Sequence, residues 1–367
     1  MSRLRIANLT KTFEGRRTAL ADISLAVAPG EFFCIVGPTN AGKTTLLKTV
    51  AGLTRADTGR IEIDGRDVTR LEPHEREVSL LFQNNALFPV LSGFDNIAFP
   101  LRAAKLAESE VAARVRDVAD LLKVVHLLDR LPRTFSGGEQ QRVAIGRAIA
   151  YRSRLLMLDE PLTNLDARLR TALRVEFKAL HRNLGQTIVY VTHDQIEAMS
   201  MSDRVAVMHE GRLQQIGAPH DIYNRPTNRF VAQFIGSPPM NLLDAELVAR
   251  EGTPFLIGPG FETPLTNPEG LAGGGPKPGR ISFGIRPEAV RAAAAFGPNT
   301  PVPGEVLWIE RLGSRHVLDV RLGAQPLKVV VRPDHPVERV GPAWFGLSPR
   351  AEHLLDRDTG TFFASNI

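Results

Sequence analysis

Apolar residues follow two different rhythms along this chain. From the first residue to about residue 236, short β-branched and apolar runs alternate with longer segments of helical spacing, which predicts an α/β domain on a mostly parallel sheet. Three runs, at 32–36, 155–158 and 187–191, are apolar enough to be strands buried on both faces. Each is followed by a polar turn, and in open α/β sheets ligands bind beyond the carboxyl ends of the strands. Between 92 and 133 the strand rhythm lapses. Val111, Val115, Val118, Leu122 and Val125 recur there at helical steps, which predicts one apolar helix face within a helical subdomain at about 90–135. Core packing alone accounts for that face.

After residue 236 the rhythm changes again. Pro238, Pro239, Pro254, Pro259 and Pro264, then the triplet Gly273-Gly274-Gly275 with Pro276 and Pro278, mark turns rather than helices. Short runs at 305–309, 316–322 and 327–331 predict a small all-β domain over 237–367.

Composition narrows the class. With 367 residues the chain exceeds one compact core and suits two domains, and its 43% hydrophobic and 23% charged fractions are those of ordinary globular proteins. No apolar run approaches the ~20 residues of a membrane-spanning helix, and the N-terminus lacks a secretory pattern, so a cytoplasmic location is expected. Cys34 is alone, which excludes an intramolecular disulfide or a cysteine metal cluster; within an apolar strand it reads as a small hydrophobe. The net charge of +5 raises nucleic acid or an anionic surface as partners, but Lys and Arg are spread without a dense block, so no nucleic acid is expected.

Three stretches carry chemistry. Gly37-Pro38-Thr39-Asn40-Ala41-Gly42-Lys43-Thr44 fits the pattern GxxxxGK followed by Ser or Thr, between a predicted strand and a predicted helix. Phosphate oxygens need converging N–H donors and a positive field, and a glycine-rich turn entering a helix supplies both. Lys43 adds a charge toward the β- and γ-phosphates and the Thr44 hydroxyl can ligate Mg²⁺. The run 155–158 ends in Asp159 and Glu160: the first is suited to a Mg²⁺ hydration shell, the second to act as general base on water. The plainer alternative is an acidic cap before Pro161. Finally, Phe135-Ser136-Gly137-Gly138-Glu139-Gln140-Gln141-Arg142 opens a predicted helix at 143–150 with a second anion-binding turn, which one nucleotide in one chain does not require.

With these motifs in order, residues 1 to about 236 resemble the nucleotide-binding subunit of an ATP-binding cassette transporter. The resemblance implies an α/β P-loop NTPase domain of that type, over 1–236, that binds and hydrolyses ATP with Mg²⁺. It also implies a head-to-tail dimer with a second ATP-binding subunit, identical or closely paralogous. There Ser136, Gly137 and Gly138 of one copy close over ATP held by the 37–44 loop of the other, which accounts for the second anion turn. Phe13 would stack on adenine, and Thr45 would join the loop in binding ATP. Gln83 would sense Mg²⁺ beside Thr44 and Asp159 and begin the segment coupling to membrane subunits. Asp166 would reach the opposite subunit, and His193 would contact the γ-phosphate, completing a catalytic set with Glu160 and Gln83.

The sequence departs from the family pattern at three positions. Asn40 stands where glycine is usual, and asparagine tolerates left-handed geometry, so the loop should keep its form. Glu139 replaces a glutamine; an acid near phosphate repels it, so its side chain should point away, leaving Ser136 and the backbone amides to bind. Thr163 replaces a serine and keeps the hydroxyl.

The C-terminal segments Gly284-Ile285-Arg286-Pro287-Glu288, then Glu310, Leu312, Gly313 and Ser314, and His353 to Asp356 resemble the oligomer-binding-like (OB-like) regulatory β-domain of importer ATPases. A structural dimerisation module is the simpler alternative. The linker around Asn228 and Ile235 is most similar to carbohydrate, polyol and glycerol-phosphate importers, with polyamine, iron and sulfate importers sharing the general plan. The resemblance thus implies a peripheral subunit on the cytoplasmic face of the inner membrane. Two transmembrane permease subunits would be its partners, with an extracytoplasmic solute-binding protein acting indirectly. A soluble cassette ATPase acting on nucleic acid is the rival, though such chains usually carry two cassettes.

Overall fold

The three apolar runs lie side by side. In the computed structural model, which describes residues 4–15, 17–82, 87–163, 165–250, 253–265, 278–350 and 353–363, they form the strands Phe32–Val36, Leu155–Asp159 and Thr187–Thr192. Phe32–Val36 pairs in parallel with Thr187–Thr192 on one side and Arg204–His209 on the other. Leu155–Asp159 pairs in parallel with Thr187–Thr192 and with Val78–Leu81, and the antiparallel strand Arg212–Gly217 closes the opposite edge. All five residues of Phe32–Val36 are at most 1% exposed, the burial expected of a strand covered on both faces.

A second, antiparallel sheet runs Arg17–Val27, Leu4–Phe13, Thr58–Ile63 and Arg66–Asp67. Its inward residues, among them Leu4, Ile6, Ile23 and Ile61, share one core with Phe33, Ile35, Leu46 and Met157 of the parallel sheet and the helix Lys43–Val50. Apolar faces too small to be stable alone are thereby buried against each other.

The predicted helical segment holds Gly93–Ala103 and Glu108–Leu121, followed by Gly137–Ala150. Val111, Val115 and Val118 are buried as their spacing predicts, but Val125 is not part of that face. Glu108–Leu121 stops because Lys123 takes a left-handed backbone (φ 57°), and Val125 then sits in a 3-10 turn, 46% exposed. Gly137–Ala150 begins six residues ahead of the predicted start because Ser136 caps it.

The chain divides into two compact units, Met1–Pro219 and His220–Ile367. The predicted boundary at 236 differs from this division by residues 220–236. Those residues are held to the β-rich unit by Arg286, which is 6% exposed and donates to the carbonyls of Tyr223 (2.5 and 3.1 Å), Ala232 (3.1 Å) and Ile235 (2.5 Å). The Arg286 guanidinium also lies 4.1 Å from the Tyr223 ring centroid. Among the described residues, the second unit is built of two five-stranded antiparallel sheets. The predicted runs fall on neighbouring strands of one of them, Val302–Arg311, His316–Leu322 and Gln325–Val331. Among the described residues, no helix is long and apolar enough to cross a membrane.

Candidate functional site

Strand Phe32–Val36 delivers the chain into a loop and then into helix Lys43–Val50, and this loop forms one wall of a cleft of ≈ 800 Å³. Only glycine fits two of its positions. A Cβ on Gly37 would fall 2.1 Å from the Met208 carbonyl oxygen, and Gly42, at φ 101°, has the Ala19 carbonyl 2.4 Å from where a Cβ would stand. Asn40 adopts φ 67°, the left-handed conformation its side chain was expected to tolerate.

Lys43 is 4% exposed, and its Nζ donates to the carbonyls of Gly37 and Pro38, both at 2.9 Å. The loop is thereby clasped by its own lysine, whose charge remains aimed into the cleft. Burial pushes the Lys43 ammonium below its ordinary pKa, against the opposing pull of Glu160, whose Oε1 lies 3.7 Å away. Next to it the Thr44 hydroxyl donates to Asp159 Oδ1 at 3.1 Å. Asp159, at the end of its strand and 3% exposed, has its carboxyl raised mainly by burial. A cleft-lining hydroxyl in contact with a buried carboxylate makes a hard-oxygen donor pair of the kind that suits a divalent cation.

Glu160 follows with a left-handed backbone (φ 47°), costly for a non-glycine residue and held here by its N–H bonding the Val191 carbonyl at 2.8 Å. The turn re-aims its carboxylate: Oε2 accepts from the Thr163 hydroxyl at 3.2 Å and lies 3.0 Å from His193 Nδ1. His193 comes from the end of the neighbouring strand Thr187–Thr192, so two adjacent strand ends set acid and imidazole against each other.

The structure thus brings Phe13, Thr39, Asn40, Ala41, Gly42, Lys43, Thr44, Thr45, Glu160 and His193 together around one cleft. Phe13, 45% exposed, ends strand Leu4–Phe13 with Lys11 Nζ 5.5 Å from its ring centroid. Gly37 and Pro38 join through Lys43, and Asp159 through Thr44. Ser136, Gly137, Gly138 and Asp166 do not line it; Ser136 and Asp166 instead cap the exposed starts of helices Gly137–Ala150 and Ala167–Leu184. Gln83 lies outside the described residues.

Glu139 does not behave as expected. Instead of pointing away, its carboxylate folds back onto Ser136, accepting from the Ser136 N–H (2.7 Å) and hydroxyl (2.8 Å), with His126 Nε2 3.1 Å from its other oxygen. These bonds, the Ser136 backbone first, lower its pKa to about 2. The carboxylate and the Ser136 hydroxyl form a reciprocal capping box at the helix start, where the N–H groups favour negative charge.

Sequence reasoning missed Thr18, Ala19, Glu210 and Gly211, which also line the cleft. Glu210 and Gly211 are the two-residue turn between Arg204–His209 and Arg212–Gly217, both at positive φ (46° and 74°). An acid-glycine pair between apolar runs is the signal of such a hairpin, but nothing local tells that its turn faces the phosphate loop.

A phosphate loop, a hydroxyl–carboxylate pair and an acid–imidazole pair at the ends of parallel strands define a nucleotide-hydrolysing P-loop protein. Comparisons with known proteins agree and go further. Residues 20–163 match the model for the ABC transporter, 236–290 that for the MalK OB fold domain and 283–355 that for the TOBE domain. The chain is 42% identical over 363 residues to the sn-glycerol-3-phosphate import ATP-binding protein UgpC of Yersinia pseudotuberculosis, covering 98% of this chain and 99% of that one. It is 41% identical over 374 residues to the trehalose/maltose import ATP-binding protein MalK of Thermococcus litoralis, with the same coverage. A solved ATP-binding cassette, dimeric in a post-hydrolysis state with ADP and Pi bound, superposes with a TM-score of 0.55 at 28% identity, covering 59% of this chain and 98% of that one. The chain belongs to the ATP-binding cassette transporter family, as an ATPase with C-terminal OB-type and TOBE β-domains.

Proposed function

We infer that this chain is the ATP-hydrolysing subunit of an importer for a sugar, polyol or glycerol derivative, a class that includes the sn-glycerol-3-phosphate and trehalose/maltose named for its relatives UgpC and MalK. The observation that carries the ATPase reading is the single cleft that holds Lys43, Glu160 and His193 together, with Glu160 Oε2 3.0 Å from His193 Nδ1. ATP lies along the 37–45 loop with adenine on Phe13, and Lys43 exchanges its carbonyl partners for the β- and γ-phosphates. Glu160 accepts the proton of the attacking water, and His193 orients the γ-phosphate and the Glu160 carboxylate toward each other. Thr44, Asp159 and Gln83 are the residues that would hold Mg²⁺, and the Thr44–Asp159 contact fits that ion. When bound, it neutralises charge on the phosphate oxygens.

Ser136, Gly137 and Asp166, exposed and away from the chain's own cleft, and the half-buried Gly138 beside them serve the cleft of a second ATP-binding subunit, so closure of the dimer completes two sites. Closure is transmitted to two permease subunits through the segment beginning at Gln83, on the cytoplasmic face of the membrane. An extracytoplasmic binding protein presents the solute. Residues 1–219 form the ATPase unit and 237–367 the regulatory β-domain, to which 220–236 are joined. Lys43→Ala tests the site: phosphate release by the purified chain should fall at least about a hundredfold, as for the loss of a charge-stabilising donor. Unchanged turnover would refute the assignment.

A further inference from the structure

The imidazole of His193 is half exposed, yet the backbone on both sides of it is fixed from below by buried groups. Glu197, 2% exposed on helix Gln195–Met201, accepts from the Tyr190 hydroxyl at 2.9 Å and from the Thr192 hydroxyl at 2.7 Å. The same Thr192 oxygen accepts the Asp194 N–H at 2.9 Å. Asp194 in turn accepts the N–H groups of Ile196 (2.7 Å) and Glu197 (3.2 Å), and Arg170 lies 3.5 Å from its other oxygen.

The direction of these bonds matters. A hydroxyl has one proton, and a carboxylate only accepts, so Glu197 draws the Thr192 proton to itself and leaves the oxygen lone pairs for Asp194 N–H. That N–H belongs to the peptide bond that follows His193. A buried carboxylate is expensive where packing alone is needed, and a leucine or glutamine would fill the space more cheaply. We propose that Glu197 is a positioning residue for ATP hydrolysis: through Thr192 it fixes the peptide between His193 and Asp194 and so holds the His193 imidazole against Glu160. This rests on the reading that His193 takes part in hydrolysis.

Replacing Glu197 outright strands the buried Tyr190 hydroxyl on an interior strand and can unfold the sheet there, so the relay itself is the better target. Thr192→Val keeps the shape and removes the hydroxyl; Thr192→Ser keeps the hydroxyl and loses a methyl group. With the purified chain, kcat for ATP should fall about ten- to a hundredfold in Thr192→Val, the scale of a displacement of about 1 Å in a catalytic group. ADP affinity should stay near that of the parent, Thr192→Ser should retain most of kcat, and His193→Ala should show the same kcat-only loss. If Thr192→Ser is as impaired as Thr192→Val, or Thr192→Val keeps full kcat while His193→Ala loses it, Glu197 acts only in packing and the proposal is overturned. Full kcat in His193→Ala would instead refute the reading of His193, and the proposal with it.

Discussion

His193 Nδ1 stands 3.0 Å from Glu160 Oε2, although the two residues are 33 positions apart in the chain. The contact exists because their strands pair in parallel, with Asp159 opposite Val191, and because Glu160 turns left-handed at the strand end. An acid poised by an imidazole and facing Lys43 at 3.7 Å is an arrangement for handling a proton beside a bound phosphate.

The phosphate loop depends on backbone geometry at Asn40, which adopts φ 67°. Asn40→Gly should leave thermal stability and ATP affinity near those of the parent. Asn40→Val, a β-branched residue in left-handed geometry, should cost about 1–2 kcal/mol in chemical denaturation. Equal stability of the two variants would show that the loop relaxes to another conformation.

Glu139 offers a pH test. Its folded-state pKa, about 2, lies below the ordinary 4.5, so its contribution to stability is fully present above 4.5 and is lost as pH falls through the folded value. The melting-temperature difference between the parent and Glu139→Ala should therefore be constant above pH 4.5 and shrink steadily toward pH 2. An NMR titration of the Glu139 carboxyl with a midpoint at its ordinary value would contradict the fold-back onto Ser136.

Arg286 binds three carbonyls that no other side chain is shown to satisfy. Arg286→Ala removes the side-chain bonds to the Tyr223 and Ile235 carbonyls, while the Ala232 carbonyl keeps the Met240 N–H at 3.3 Å, and the loss should be roughly 3 kcal/mol in the unfolding of the C-terminal unit. Residues 220–236 should also become more sensitive to protease. A loss within about 0.5 kcal/mol, as for an ordinary surface change, would remove Arg286 as the residue that holds this segment.

Much of this molecule can be read from its sequence, and the exceptions have physical causes. Phe32–Val36 is legible because a strand covered on both faces must be apolar at every position. Leu4–Phe13 and Arg17–Val27 escape notice because bulges break their register three times, so strict alternation is lost. The fold-back of Glu139 was legible, since Ser136 and Glu139 have the spacing of a capping box. Lys43, Thr44, Asp159 and Glu160 are readable because phosphate chemistry dictates type and order. Glu210 and Gly211 are not, because they reach the phosphate loop only through sheet pairing, and the Glu197 relay is not, because its carboxylate turns back from a helix onto the strand before it.

The central claim, that Glu160 is the base of an ATPase whose two half-sites meet in a dimer, is tested most directly by Glu160→Gln. Incubated with ATP and Mg²⁺, the purified variant should retain nucleotide and run on size-exclusion chromatography as a closed dimer. Its phosphate release should fall at least about a hundredfold, the scale of a lost general base. A monomer that turns over ATP like the parent would contradict both the role of Glu160 and the shared site.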